Sequence, residues 1–185
     1  MSKWTENLNF GKAGESAIAC WLRSIGRCVI PVYEKIIDEG KGPQLFLPDC
    51  ELIAPDLLSV IGPKISWVEA KHKSAFSVYR NSGKLTTGID LRHYLDYLEV
   101  AQRTPWPVWL LFLHEGGTAK GDTRPTPSGL FGNNLLFLKE HEHHRWDSPA
   151  MVYWEITSLL RLATAEEVFS ARARFRPCLD SSPRQ

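Results

Sequence analysis

The chain has 185 residues, about the length of one domain. Its 22 Lys and Arg residues nearly balance 21 Asp and Glu residues, so the formal net charge is +1. No overall field therefore attracts a nucleic acid or an anionic membrane, and a polyanion would need a local basic patch. No apolar run approaches the roughly 20 residues that span a bilayer.

Targeting signals and cysteines bear on the compartment. Residues 1–10 are polar and lack the apolar segment of a secretory signal, which predicts a cytoplasmic protein that does not enter a membrane. The four cysteines form no C-x-x-C pair, and a chain of this length can bury a core without disulfides. We expect Cys20, Cys28, Cys50 and Cys178 to be reduced, mostly buried thiols.

The first half of the chain has one helix pattern and three strand patterns. Apolar residues recur at helical spacing over 12–25, and Gly26 is a stop signal. Composition then predicts strands, in chain order, at 27–34, 49–54 and 65–71. Residues 35–47 are predicted to be a loop, and 55–64 a connection that contains Pro and Gly. The last two strands are therefore predicted to form an antiparallel hairpin.

The second half begins with a polar segment, 74–88, which is predicted to be mobile. An amphipathic helix follows at 90–103, with Thr87 or Asp90 as its cap, and the continuous apolar run 107–114 predicts a strand covered on both faces. Later elements are predicted in chain order: a long excursion at 115–132, strands at 135–139 and 151–156, and a last helix at about 164–175.

This order of elements predicts an α/β fold with a mixed β-sheet flanked by helices. We expect a single domain over 1–185, with a core at about 11–160 and a C-terminal helix and tail at 161–185.

Three polar residues of the predicted hairpin carry the chemistry. A register that pairs Ala54 with Lys64 also places Asp49 opposite Glu69, where directly opposed Cβ atoms lie about 4.5 to 5.5 Å apart. Strand alternation then puts Lys71 on the same face as Glu69. Two carboxylates this close need a proton, an ammonium group or a metal between them. Oxygen ligands favour Mg²⁺ or Mn²⁺, which would support metal-assisted hydrolysis of a phosphodiester.

The order Glu15, Pro48-Asp49 and Glu69-Ala70-Lys71 resembles the PD-(D/E)XK nuclease superfamily, including its Holliday-junction-resolvase-like and restriction-endonuclease-like members. The resemblance covers roughly residues 11–114. It implies a restriction-endonuclease-like fold in which a helix, an antiparallel hairpin bearing the acids, a second helix and a further strand follow one another.

The same resemblance implies a function. Asp49, Glu69 and the Ala70 carbonyl would hold Mg²⁺, Lys71 would lie at the attacking water, and Glu15 would be a supporting ligand or water orienter. The chain would be a Mg²⁺-dependent (or Mn²⁺-dependent) deoxyribonuclease that acts on DNA. RNA as a substrate and a homodimer both stay open.

Two other acids compete for the position of Asp49. A second Pro-Asp pair, Pro55-Asp56, also precedes Glu69, but only 12 residues separate Asp56 from Glu69, so we expect Asp56 to lie in the turn. Glu51 shares a strand face with Asp49 and is a possible accessory ligand.

Basic residues after the motif are candidates for contacts with phosphates: Lys73, Arg80, Lys84 and Arg92. Two alternatives to the nuclease stay open. One is a catalytically silent module with the same fold that binds nucleic acid or a protein. The other places a transition metal at the segment from His141 to His144, where the prediction favours a solvated charged loop because the spacing matches no zinc pattern.

Overall fold

The computed structural model of the chain describes residues 3–32, 43–145 and 150–175. The helices are α1 (Lys3–Ser24), α2 (Leu91–Arg103), α3 (Leu135–Lys139) and α4 (Ala165–Phe175). The strands are β1 (Cys28–Pro31), β2 (Gln44–Phe46), β3 (Glu51–Ile53), β4 (Leu57–Ile61), β5 (Lys64–Lys73), β6 (Ser77–Val78), β7 (Leu85–Asp90), β8 (Val108–His114), β9 (Gly117–Thr118), β10 (Pro125–Thr126), β11 (Gly129–Asn134), β12 (Glu142–Arg145), β13 (Met151–Glu155) and β14 (Leu160–Ala163).

The main sheet has six strands in the order β1-β4-β5-β8-β11-β14. Its strands pair antiparallel except for β5 and β8, which run parallel. This mixed sheet confirms the predicted α/β class. The implied order of helix, antiparallel hairpin, helix and further strand is also present, as α1, β4-β5, α2 and β8.

Helices cover both faces of the main sheet. Successive residues of β8 alternate between two core clusters, so the clusters lie on opposite faces. Leu111 and Leu113 join the cluster that contains α1 and α4, whereas Leu110 and Phe112 join the one that contains α2. Because α4 belongs to the first cluster, the packed core extends past the predicted limit at residue 160.

The ends of the predicted helices agree with local capping chemistry. Gly26, with φ of 85°, follows α1, which begins well before the predicted start at residue 12. The side chain of Asp90 accepts a hydrogen bond from the Arg92 backbone N–H and caps α2, as predicted. No helix of the described ranges is long and apolar enough to cross a membrane.

The predicted hairpin register is wrong. β5 pairs with β4, which lies inside the segment predicted to be a connection, and Leu57 is opposite Val68. β3 pairs with β2 instead. The physical reason is a turn of two residues, Gly62 and Pro63, in which Gly62 takes φ of 55°. A positive φ followed by proline suits a type II′ hairpin turn, so twelve residues are enough for two strand segments of five and the turn between them.

Other segments also differ from the prediction. Leu135–Lys139 is a short helix rather than a strand, because the Asn134 side chain accepts a hydrogen bond from Leu136 N and starts a helical turn. The segment predicted to be mobile contains β6 and β7, which join β12 and β13 in a second, four-stranded sheet.

Parts of the prediction fall on residues that the structure does not describe. Residues 33–34 of the first predicted strand, residues 35–42 of the predicted loop, Cys178 and the C-terminal tail lie outside the described ranges. The other three cysteines are free thiols, as predicted. Only Cys20 is buried, while Cys28 is exposed and Cys50 is intermediate.

Candidate active site

Asp56 takes the position that the sequence predicts for Asp49. It precedes β4 by one residue, so the pairing of Leu57 with Val68 places Asp56 opposite Glu69. The Asp56 carboxylate accepts a hydrogen bond of 3.0 Å from Ala70 N, and its carbonyl accepts one of 2.8 Å from Val32 N. The Asp56 carboxylate thus accepts the hydrogen bond of a β5 backbone N–H just beyond the residues where β4 and β5 are paired.

Glu69 and Lys71 lie together on β5, as strand alternation predicts. Glu69 is fully buried, and its Oε1 forms an ion pair with Lys71 Nζ. Tyr97 of α2 also forms a side-chain hydrogen bond with the Glu69 carboxylate. The buried Tyr97 side chain of α2 lies beside the carboxylate, and burial followed by the charges of Glu69 and Asp56 raises the pKa of its phenol.

The electrostatics of the three groups are coupled. Burial, reinforced by the Glu69 charge, raises the pKa of Asp56 to about 8. For Lys71, burial acts to lower the pKa, but the Glu69 and Asp56 carboxylates outweigh burial and raise it. At neutral pH the metal-free site therefore keeps a proton on Asp56 and a charge on Lys71.

Glu15 reaches the same site from α1. Burial raises the pKa of the Glu15 carboxyl. The Lys71 charge lowers this pKa and the Glu69 charge raises it, so both β5 residues lie within electrostatic reach of Glu15. The helix approaches β5 closely because Gly14 has no side chain: a Cβ there would lie 2.2 Å from the Cβ of His72. Glu15 is therefore coupled to the motif residues by charge, and its role at the site stays a prediction.

Asp49 and Glu51 lie elsewhere. The Asp49 side chain is 61% exposed and forms an ion pair with Arg103 of α2, whose hydrogen bond lowers the pKa of Asp49. Glu51 is exposed and pairs with Phe46 in the β2-β3 ladder. The predicted ligand pair of Asp49 and Glu69 is wrong because β3 is not the neighbour of β5. The same fact removes the geometric basis for Glu51 as an accessory ligand.

One of the predicted phosphate-binding residues lies on the motif strand β5, and the other three lie elsewhere in the fold. Lys73 follows Lys71 on the same face of β5 and is coupled to it electrostatically. Lys84 forms an ion pair of 2.7 Å with Glu155 in the second sheet. Arg80 is exposed in the turn between β6 and β7, and Arg92 is exposed in the first turn of α2.

The histidine-rich segment is partly structured rather than a solvated loop. Glu142 begins β12, and its carboxylate contacts both the Tyr94 hydroxyl and His144 Nε2. His143 contacts Glu155 at 3.5 Å. Within the described residues, no group of three or more His, Cys, Asp or Glu side chains converges as metal ligands.

The residues of the β4-β5 site nevertheless fit a hard cation. Mg²⁺ is commonly held by one or two carboxylates and keeps several waters, so two acids suffice. Glu69 is fully buried and lies opposite Asp56, and a cation between the two carboxylates would offset their mutual repulsion. Ala70 N points toward Asp56, and in a strand the carbonyl of the same residue points to that side too. Asp56, Glu69 and the Ala70 carbonyl thus form a set of oxygen ligands.

The fold of the chain is similar to that of solved structures. The chain is similar to Hjc, a Holliday junction resolvase from the archaeal hyperthermophile Archaeoglobus fulgidus, with 11% sequence identity and a TM-score of 0.47. The likeness covers 85% of this chain and 99% of the resolvase chain. No family model and no curated protein matches the sequence.

Proposed function

We propose that the chain is a metal-dependent nuclease that hydrolyses phosphodiester bonds in DNA. The observation that carries the proposal is the pair of facing carboxylates, half-buried Asp56 and fully buried Glu69, with the Lys71 ammonium paired to Glu69. A solvated cross-strand ion pair would not need a fully buried carboxylate. Removal of such a group from water is costly, which favours a functional reason for keeping it there.

Each residue of the site has a distinct role in this proposal. Asp56, Glu69 and the Ala70 carbonyl would hold Mg²⁺ or Mn²⁺. Such an ion supplies Lewis-acid chemistry, in that it polarises a phosphoryl oxygen and acidifies a water. Lys71, whose pKa is raised, keeps its proton and would act as a donor that orients the water and stabilises charge on phosphorus, rather than as a base. Glu15 would orient the water from the α1 side.

A cleavage assay with matched variants tests the proposal. Full-length protein with Mg²⁺ or Mn²⁺ is incubated with duplex, single-stranded and branched DNA, and the wild type is compared with Asp56→Asn, Glu69→Gln and Lys71→Met. We expect each variant to lose at least about a hundredfold in rate, as is usual when a catalytic group is removed. Asp49→Asn is the control, because it changes the competing Pro-Asp pair on the surface and is expected to cleave at the wild-type rate.

Two results would overturn the proposal. One is the absence of any metal-dependent cleavage by the wild type, which would favour the silent binding module. The other is wild-type cleavage by Asp56→Asn together with loss of cleavage in Asp49→Asn, which would return the site to Asp49.

A further inference from the structure

The strand that carries the motif continues beyond the site with another lysine. Lys73 is the last residue of β5 and shares a face with Glu69 and Lys71, roughly 6.6 Å along the strand from Lys71. Its side chain is half-buried, and no acidic group of the described residues forms an ion pair with it. Lys73 is therefore a basic group next to the proposed catalytic centre that has no ion-pair partner among the described residues, although the Glu69 charge acts on it.

A second lysine reaches the same place from a distant part of the sequence. The excursion between β8 and β11 forms a small hairpin of β9 and β10, with Lys120 just after β9. Lys120 N donates a hydrogen bond of 2.9 Å to the carbonyl of Phe76, and Lys120 forms an isolated bridge with Ser77. The buried Ala119 anchors this segment. The backbone at Lys120 is thus held against the chain that leaves β5.

The backbone contacts of Lys120 with Phe76 and Ser77 hold it against the chain just after Lys73, and the charges of the two lysines act on each other. Burial, followed by the charges of Lys71 and Lys120, lowers the pKa of Lys73 to about 8. The charges of Lys73 and Lys120 also act together on the buried His114. Three ammonium groups in one region repel one another, and an anion from outside the protein would relieve that repulsion.

We propose that Lys73 and Lys120 form a phosphate-binding subsite that holds a backbone phosphate next to the one that is cleaved. The inference rests on the proposed nuclease function, because it takes the β4-β5 site as the position of the scissile phosphate. The subsite joins the end of the motif strand to the β9-β10 excursion. It gives the excursion a role in DNA binding that the sequence pattern did not show.

The salt dependence of DNA binding measures this subsite directly. Each phosphate contact on duplex DNA adds about 0.9 to the slope of log K against log salt. Binding of a labelled 20-base-pair duplex is measured in EDTA, so that cleavage cannot interfere. Relative to the wild type, Lys73→Ala/Lys120→Ala is expected to reduce the slope by about 0.9, because the two lysines hold one phosphate, and Lys120→Ala alone by part of that amount. The single variant keeps the test valid if the double variant fails to fold, because Lys120 is exposed.

Lys64→Ala/Lys139→Ala is the matched control. It removes the same charge from two exposed lysines, one of which begins β5 roughly 30 Å from Lys73 along the strand. The control is expected to keep the wild-type slope. An unchanged slope in Lys73→Ala/Lys120→Ala, or an equal reduction in the control, would overturn the subsite.

The binding assay separates this inference from the proposed function. If Glu69-dependent cleavage is observed but the lysine variants keep the wild-type slope, only the subsite is wrong. If the lysine variants lose slope but no protein cleaves, the nuclease proposal fails while the phosphate contact stands. Where cleavage is present, the subsite further predicts a higher KM with little change in kcat.

Discussion

Asp49 and Asp56 each follow a proline, and their surroundings give the two carboxyl groups different chemistry. Asp49 meets the Arg103 guanidinium in solvent, and the hydrogen bond from Arg103 lowers its pKa. Asp56 is enclosed opposite Glu69, and burial followed by that second carboxylate raises its pKa to about 8. A cation that binds Asp56 must therefore displace a proton near neutral pH. The ion pair of Asp49 with Arg103 is exposed and screened by salt, so it contributes little to stability.

His114 provides a test of burial at the residue scale. It is fully buried, stacks on Phe76 at 3.6 Å between ring centroids, and contacts the Thr87 hydroxyl at 3.2 Å. Burial, with the nearby Lys73 and Lys120 charges, lowers its pKa from 6.5 to about 3. Between these two values the unfolded chain binds a proton that the folded chain does not. The stability that His114 confers is therefore complete above pH 6.5 and is lost as the pH falls toward 3.

We expect this histidine to contribute a slope of up to about 1.4 kcal/mol per pH unit within that window. Urea unfolding at a series of pH values measures the slope. His114→Gln is expected to be less stable at pH 7 and to have a shallower dependence below pH 6.5. The exposed His141 offers the control His141→Gln, which should keep the wild-type dependence. An equally steep dependence in His114→Gln would show that other groups cause the acid loss.

Three of the four side chains of the candidate site were singled out from the sequence, whereas Asp56 was assigned to a turn. Glu69 and Lys71 could be placed because alternation within one strand needs no knowledge of the partner strand. Glu15 followed from the family resemblance. Asp56 depended on the register between two strands, which changes with the length of the turn. The signal that could have found it is Gly62-Pro63, since glycine followed by proline permits a two-residue turn.

At the element scale, short apolar segments were the least predictable parts of the chain. Leu135–Lys139 is so short that its apolar pattern fits a helix and a buried strand equally well. Long elements behaved differently: α2 and β8 agree with their predicted ranges to within one residue. The thirteen residues of α2 carry a complete amphipathic pattern, so the apolar face and the capping residue both predict a helix over the same range.

The packing of α1 on β5 leads to a prediction at this scale. Glycine inside a helix normally costs about 1 kcal/mol relative to alanine. At Gly14, however, a Cβ would lie 2.2 Å from the His72 Cβ and 2.5 Å from its Cγ. We expect Gly14→Ala to reduce the free energy of unfolding by about 1 to 3 kcal/mol, because α1 must move away from β5. Denaturant unfolding checks this value.

Gly11 of the same helix is the matched control for Gly14. A Cβ at Gly11 would have no neighbour closer than 4.0 Å, so Gly11→Ala is expected to be neutral or to stabilise by up to about 1 kcal/mol. Because Glu15 follows Gly14, we also expect Gly14→Ala to lower DNA cleavage and Gly11→Ala to leave it unchanged. Equal stability of the two variants would contradict close packing at Gly14.

At the scale of the whole molecule, the site lies in the middle of the main sheet rather than at its edge. β5 has β4 on one side and β8 on the other, with two more strands beyond β8 and one beyond β4. Glu69 and Lys71 are therefore held by a rigid scaffold. The small net charge is compatible with DNA binding because the positive groups are grouped at the end of this strand.

A site in the middle of the sheet also links cation binding to the stability of the entire fold. A ligand that binds only the folded state at a hundred times its Kd stabilises that state by about 2.7 kcal/mol. For a chain of this length, that corresponds to a rise in Tm of roughly 5 to 11 °C. We expect Mg²⁺ or Mn²⁺ to produce such a rise in the wild type, measured by differential scanning calorimetry against EDTA.

Variants of the acids show whether that rise comes from this site. Glu69→Gln and Asp56→Asn should lose most of it, because each removes one of the two carboxylates that would hold the cation. Asp49→Asn should keep the full rise, since its carboxylate is paired with Arg103 on the surface. A rise of equal size in Glu69→Gln would place the bound cation elsewhere. The metal-binding role of Asp56 and Glu69 would then be wrong, even if the protein cleaves DNA.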